Sequence, residues 1–278
     1  MSAAPARLVH PGPPAPDRRQ AVRATLRPVA GTLPAGATVM AGVGELFAAQ
    51  GCRGGIAWLD GLICNPFRYV LPALATDDLH AAYYSETHAP DGPVRIGPST
   101  ASVGWRDGAP FLHCHGTWTG GMGTAMGHLL PFDSVVAEDC AVRGIGSPDA
   151  WFEAVADAET NFTLFAAAGG GTGDGGLVVR LRPEEDVCDA LAALCAEHGI
   201  EAARVHGLGS ICGVRFAGGG TVPCVATEVR IDEGRVAGRR ARLSVSVVDV
   251  DGAIHAGTLL PGANPVGVTF ELLVERVA

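Results

Sequence analysis

Apolar positions recur at helical spacing in two places along the chain. Val187, Leu191, Leu194 and Cys195 form one stripe, preceded by Glu184, Glu185 and Asp186, acids that favour the positive end of a helix dipole. Pro183 suits a first helical position and Gly199 a stop, so the pattern predicts a helix over 183–198. The same frame with weaker capping predicts a helix over 37–50, stopped by Gly51. Each helix leads into a β-like run, 55–59 or 203–207, and then into a glycine-containing bend.

These parallels are not confined to the helices. At a constant separation of 148 residues, Val39 falls on Val187, Leu46 on Leu194, Gly51 on Gly199, Gly61 on Gly209 and Cys64 on Cys212. Gly127-His128-Leu129-Leu130-Pro131 matches Gly257-Thr258-Leu259-Leu260-Pro261, and apolar or alternating runs at 134–142 and 266–274 follow as closing strands. The chain therefore divides into a flexible arm (1–20), a first domain (21–165), a glycine-rich linker (166–176) and a second domain (177–278). The stretch 149–161 is expected to be a helical or irregular tail of the first domain. The glycine run 169–176 is most economically a linker. As a phosphate-cradling loop it lacks a following lysine.

Composition narrows the classes. The 278 residues are 47% hydrophobic and 18% charged, enough to bury cores. Twenty basic against 29 acidic residues give a net charge of −9, which argues against phosphate-driven nucleic-acid binding. The chain contains no lysine, which excludes a Schiff-base or P-loop lysine. No apolar stretch is long enough for a membrane span. The eight cysteines form no C-x-x-C pair, so reduced thiols and a cytoplasmic location are expected.

The residues with most chemistry lie near the end of the first repeat. In a strand, His113 and His115 present two imidazoles on one face and Cys114 points to the other. Five glycines in 116–127 allow the chain to turn back and bring His128 alongside. Three imidazoles with a fourth position open are the ligand set of a catalytic Zn²⁺, with Fe, Ni or Mn as alternatives. An ordinary wet strand face is the plainer explanation of an H-x-H pair. Against it, the second repeat has Ser244, Ser246 and Thr258 at the corresponding places, so the fold does not require histidines there.

Phe111-Leu112-His113-Cys114-His115 followed by Gly127-His128, together with Val205-His206-Gly207-Leu208-Gly209-Ser210 after a helix, resembles the plants-and-prokaryotes-conserved (PPC) domain family over most of both halves. The resemblance implies an α/β (α+β) fold: two tandem domains, each a curved, mostly antiparallel sheet with flanking helices. It also implies assembly as a homotrimer and a metal, expected to be Zn²⁺, held by His113, His115 and His128 near a subunit interface. Acetolactate decarboxylase shares the fold and a comparable H-x-H plus H zinc site. Its glutamate after an L-D-G step is missing here, where Leu62 follows Leu59-Asp60-Gly61. The arginine-glycine hook by which plant members bind DNA is also missing, since Gly238-Arg239-Arg240-Ala241-Arg242 does not match it.

A metal enzyme also needs a proton-transfer group and an anion clamp. Glu86, in the Tyr83-Tyr84-Ser85-Glu86-Thr87-His88 segment, is the candidate general base or fourth ligand, with Tyr84 beside it. Arg106, in a Trp105-Arg106-Asp107-Gly108 turn, is the candidate carboxylate clamp; Arg68 and Arg95 are weaker ones. Asp133 reads as a turn acid, and His88, His206 and His255 as loop or structural residues. The reading favoured is a metal-dependent lyase or decarboxylase acting on a small keto- or hydroxy-carboxylate. The alternative is a non-catalytic metal- or ligand-binding oligomeric module, and a DNA-binding regulator ranks last. No nucleic-acid or membrane partner is expected.

Overall fold

The computed structural model describes residues 7–121 and 123–277. The first part of the chain runs β1 (Arg19–Ala24), β2 (Arg27–Leu33), α1 (Val39–Ala49), β3 (Gly54–Trp58), β4 (Ile63–Cys64), β5 (Tyr69–Val70), β6 (Pro72–Leu74) and β7 (Ala82–Tyr84). It continues through β8 (Val94–Arg106), β9 (Ala109–Gly120), β10 (Gly123–Leu129), β11 (Cys140–Ser147), β12 (Ala150–Ala156) and β13 (Thr163–Gly169). The second part runs β14 (Gly176–Leu181), α2 (Val187–Glu197), β15 (Ala202–Ile211), β16 (Val214–Arg215), β17 (Thr221–Val222), β18 (Glu228–Ala237), β19 (Arg240–Val248), β20 (Ile254–Thr258) and β21 (Val266–Arg276).

Two large, mostly antiparallel sheets result. One has the order β2-β11-β3-β8-β9-β10-β5, with β4, β12 and β13 attached; the other has the order β1-β14-β21-β15-β18-β19-β20. From β2 to β10 and from β14 to β20 the orders correspond strand for strand, with α1 and α2 in equivalent places. The helices are each 11 residues long, shorter than the hydrophobic stripes suggest. Thr38 caps α1 by accepting from Ala41 N, and Asp186 caps α2 by accepting from Asp189 N. Pro183 and Glu184 therefore precede α2. Glu184 sits in the left-handed region at φ 70°, and the chain has not yet entered the helix there. Gly51 (φ 62°) and Gly199 (φ 67°) supply the left-handed stops that the sequence pattern predicts.

Each sheet buries one face against its own helix. Val43 and Phe47 of α1 join Leu112 and Cys114 of β9 in one core, and Leu191 and Leu194 of α2 join Phe270 and Leu272 of β21 in another. A third, smaller core joins the sheets to each other: Ala24, Ile56, Ala150, Phe152 and Phe165 pack with Val178 and Leu273. The two halves thus meet across an apolar seam.

Five boundary expectations change. The arm at 1–20 is anchored where it is described: His10 Nε2 lies 2.8 Å from the Gly267 carbonyl, and Arg18 pairs with Glu159 at 2.6 Å. β1 does not belong to the first sheet but pairs antiparallel with β14 of the second, Ala24 opposite Gly176. The stretch 149–161 is no helical tail; most of it is β12, which pairs with β13 and, in parallel, with β8. The run 166–176 is not a loose linker. Gly169 ends β13, and a Cβ at Gly171 would lie 1.8 Å from the Arg23 carbonyl oxygen, one at Gly173 2.2 Å from Thr25 Oγ1. Glycine is needed there for close passage past the β1–β2 connection. The first closing strand also falls later than expected, at β11, with only isolated bridges at Val135 and Val136.

Candidate metal centre

Asp107 (φ 52°) and Gly108 (φ 78°) form the tight turn between β8 and β9, the D-G geometry that matches strand twist. This turn sets the register of β9. Its alternation places Cys114 in the first core and Phe111, His113 and His115 on the opposite face, towards the second half. The β9–β10 hairpin sets His128 directly opposite His115. The three imidazoles converge, with ring centroids 4.6 Å (His113–His115), 4.7 Å (His113–His128) and 5.5 Å (His115–His128) apart.

The fourth member comes from the other half. Glu228, the first residue of β18, places Oε2 2.5 Å from His115 Nε2. One ligand atom from each of His113, His115, His128 and Glu228 lies within 4.8 Å of all the others. The imidazoles are oriented from behind. His113 Nδ1 lies 3.0 Å from both carboxylate oxygens of Glu271 on β21, and His115 Nδ1 lies 3.0 Å from the Val229 carbonyl oxygen. With Nδ1–H donating to those acceptors, both Nε2 lone pairs point inward, 2.9 Å apart. His128 Nδ1 is buried with no hydrogen-bond partner among the described residues.

The donor set fits a divalent cation. Convergent imidazole lone pairs and a carboxylate repel one another unless a proton or a cation lies between them. Tetrahedral zinc would space its nitrogens at about 3.3 Å, so the group needs only a slight opening. The titration tendencies agree. Burial, reinforced by neighbouring His115, pulls His113 down to about 3, and burial lowers His128 well below the usual histidine range. Burial alone would lower His115 too, but the Glu228 carboxylate outweighs it and raises His115. Burial pushes Glu271 up to about 8.

Two members of the centre, His113 and His128, line a 380 Å³ cleft together with Glu271, Tyr84 and Arg106. Tyr84 meets His128 edge to face at 4.9 Å. Arg106 lies over Phe111, 5.3 Å from the ring centroid. Glu86 is not brought to the site. It is exposed, its carbonyl accepts from Ser85 Oγ, and it belongs to neither the ligand group nor the cleft lining. Its place as fourth ligand is taken by Glu228. Arg68 donates to the Phe67 carbonyl, Arg95 donates to the Gly61 carbonyl, Asp133 is exposed, and His88 stacks on Tyr69. His206 and His255 pair with Glu275 and Asp249, away from the centre.

Glu228 and Glu271 were not singled out from the sequence. Glu271 carries a usable signal: it is an acid between the apolar residues Phe270 and Leu272 of β21, and a buried charge needs a partner. In the second half, Ser244 faces Thr258 across β19–β20 as His115 faces His128, and their hydroxyls lie 3.1 Å apart. Ser244 therefore stands opposite Thr258 where the sequence comparison pairs it with His113; Ser246 lies two residues further on and hydrogen-bonds Asp232.

A search among curated proteins finds no match. Among solved structures, a metal-containing protein from Archaeoglobus fulgidus is 16% identical with a TM-score of 0.40, covering 52% of this chain and 96% of its own. A plant- and prokaryote-conserved (PPC) protein from Pyrococcus horikoshii is 16% identical with a TM-score of 0.41, covering 52% and 94%. A putative DNA-binding protein from Ralstonia eutropha JMP134 is 19% identical with a TM-score of 0.35, covering 50% and 89%. The family model for the Plants and Prokaryotes Conserved (PCC) domain matches residues 169–278. That matched stretch is the part of the chain that supplies Glu228 and Glu271.

Proposed function

We propose that the protein binds a divalent cation, with zinc first, at His113, His115, His128 and Glu228, and acts as a metal-dependent lyase on an oxygenated carboxylate. The observation that carries this reading is convergence of four donor side chains, two of which, His113 and His128, open onto a cleft that also holds an arginine. A cation held there would polarise a ligand oxygen and stabilise developing negative charge. The chain's own residues do the rest. Glu271 and the Val229 carbonyl hold the His113 and His115 tautomers, Arg106 offers its guanidinium to a carboxylate, and Tyr84 closes the cleft beside His128.

A second reading has its own support. Glu228 completes a four-ligand set and joins the halves, as in a closed structural site that locks the seam. In both readings the second half replaces the subunit contact that the family resemblance places at the metal. The matching strand orders support descent of the two halves from one duplicated domain. Self-association as a trimer is a separate proposal, checked by sedimentation.

Metal analysis of wild type, His113→Ala, His128→Ala and Glu228→Gln decides the first step. One equivalent of metal in wild type, with loss from all three variants, is expected. Glu271→Gln is expected to weaken metal binding about 10–100-fold while keeping the ligands. Equal metal content throughout would remove the proposal. Turnover of 2-keto or 2-hydroxy acids by the loaded protein would then separate enzyme from structural module.

A further inference from the structure

The cleft over the centre is walled by rings. In its lining Tyr83 stacks on Phe162 with centroids 5.9 Å apart, and His80 lies 4.8 Å from Phe162. A second ring group in the lining has Phe111 meeting Phe165 edge to face at 5.6 Å, with the Arg106 guanidinium over Phe111. The acid paired with Arg106 among the described residues is its neighbour Asp107, 3.8 Å away with a side chain 92% exposed to solvent. The guanidinium is therefore available to a ligand's anion.

Spacing then selects the ligand. Phe111 and His113 lie on the same face of β9, two residues apart, which separates them by about 7 Å. A ligand that meets Arg106 and also the histidine cluster must carry its carboxylate far from its other oxygen. The adjacent carbons of a 2-keto acid do not span that distance. Aromatic walls favour a flat ring as the spacer.

We propose that the cleft binds an aromatic carboxylate, its ring against the cleft's aromatic lining, its carboxylate on Arg106 and an oxygen on the far side of the ring directed at His113 and His128 of the cluster. This rests on the metal reading above and narrows it from small keto or hydroxy acids to a ring-bearing acid.

The test uses the full chain loaded with Co²⁺ and titrated with 4-hydroxybenzoate, phenol or pyruvate, following heat and the visible Co²⁺ band. Expected are binding of 4-hydroxybenzoate at least tenfold tighter than of phenol or pyruvate, and a shift of the band. Arg106→Gln, a change at a half-exposed side chain, should lower affinity for 4-hydroxybenzoate at least tenfold and leave phenol unchanged. Pyruvate binding as tightly as 4-hydroxybenzoate, or indifference of the latter to Arg106→Gln, would overturn the inference while retained Co²⁺ still supported the metal centre. Failure of wild type to retain Co²⁺, with Arg106-dependent binding intact, would sink the metal reading alone.

Discussion

Asp157 shows how much one side chain can organise. It follows β12, is buried, accepts from Thr160 N and Oγ1 at 3.1 Å, and pairs with Arg180 at 2.7 Å and with Arg182. Arg180 is itself fully buried on β14, so this ion pair crosses the seam between the halves. Burial would raise the Asp157 carboxyl, but the two arginines and the turn hydrogen bonds outweigh it and hold it down at about 2, against an ordinary 3.8. A depressed carboxylate stabilises the fold above its unfolded pKa, and that contribution fades as pH falls from about 4 towards 2. Asp157→Asn should cost about 3–5 kcal/mol near neutrality, because it leaves Arg180 buried without its counter-ion. Urea unfolding at pH 6 and at pH 2 checks this; the gap between wild type and variant should narrow by about 2 kcal/mol at the lower pH. The same logic explains why the histidines were legible and their partners were not. His113, His115 and His128 are near in sequence, and strand alternation plus a glycine-rich turn is enough to bring them together. Glu228 and Glu271 reach them only through tertiary packing, which local spacing does not encode.

At the scale of elements, local pattern was a good guide wherever an element's partner was adjacent. The two helices, the D-G turn and the β9–β10 hairpin are all short-range features. The misread stretches share one property: their partners are remote. Alanines and acids in 149–161 suggest a helix, yet β12 is held as a strand by β13 and by β8. The glycines of 169–176 suggest slack, yet backbone of the β1–β2 connection occupies the space a side chain would need. Gly104 on β8 is a sharper case, since a Cβ there would lie 2.0 Å from the Phe152 carbonyl oxygen. Gly104→Ala should therefore push β12 off β8 and destabilise the protein by about 1–3 kcal/mol or more. Hydrogen exchange should show faster opening at β12 and β13, and unchanged protection there would contradict this account.

For the whole molecule, the halves are bound by the small apolar seam, by the Asp157 ion pairs, by Glu228 and Glu271 behind the histidines, and by β1. Among the described residues no helix is long and apolar enough to cross a membrane. Removing residues 1–24 would strip β14 of its edge partner and take Ala24 out of the seam. The shortened protein should melt at least roughly 5 °C lower and should be cut faster by protease, both measurable against the full chain. An unchanged melting temperature would show that β1 adds no net stability.

That crossing strand also orders events during synthesis. As the chain leaves the ribosome, residues 19–24 emerge well before the backbone they pair with, from Gly176 onward, has been made. The nascent first half can complete β2 to β11 while residues 19–24 wait, unpaired, for a sheet still being translated. Final assembly then closes like a clasp: the later-made half captures the strand made before it and, in the same docking, delivers its two glutamates to the waiting imidazoles.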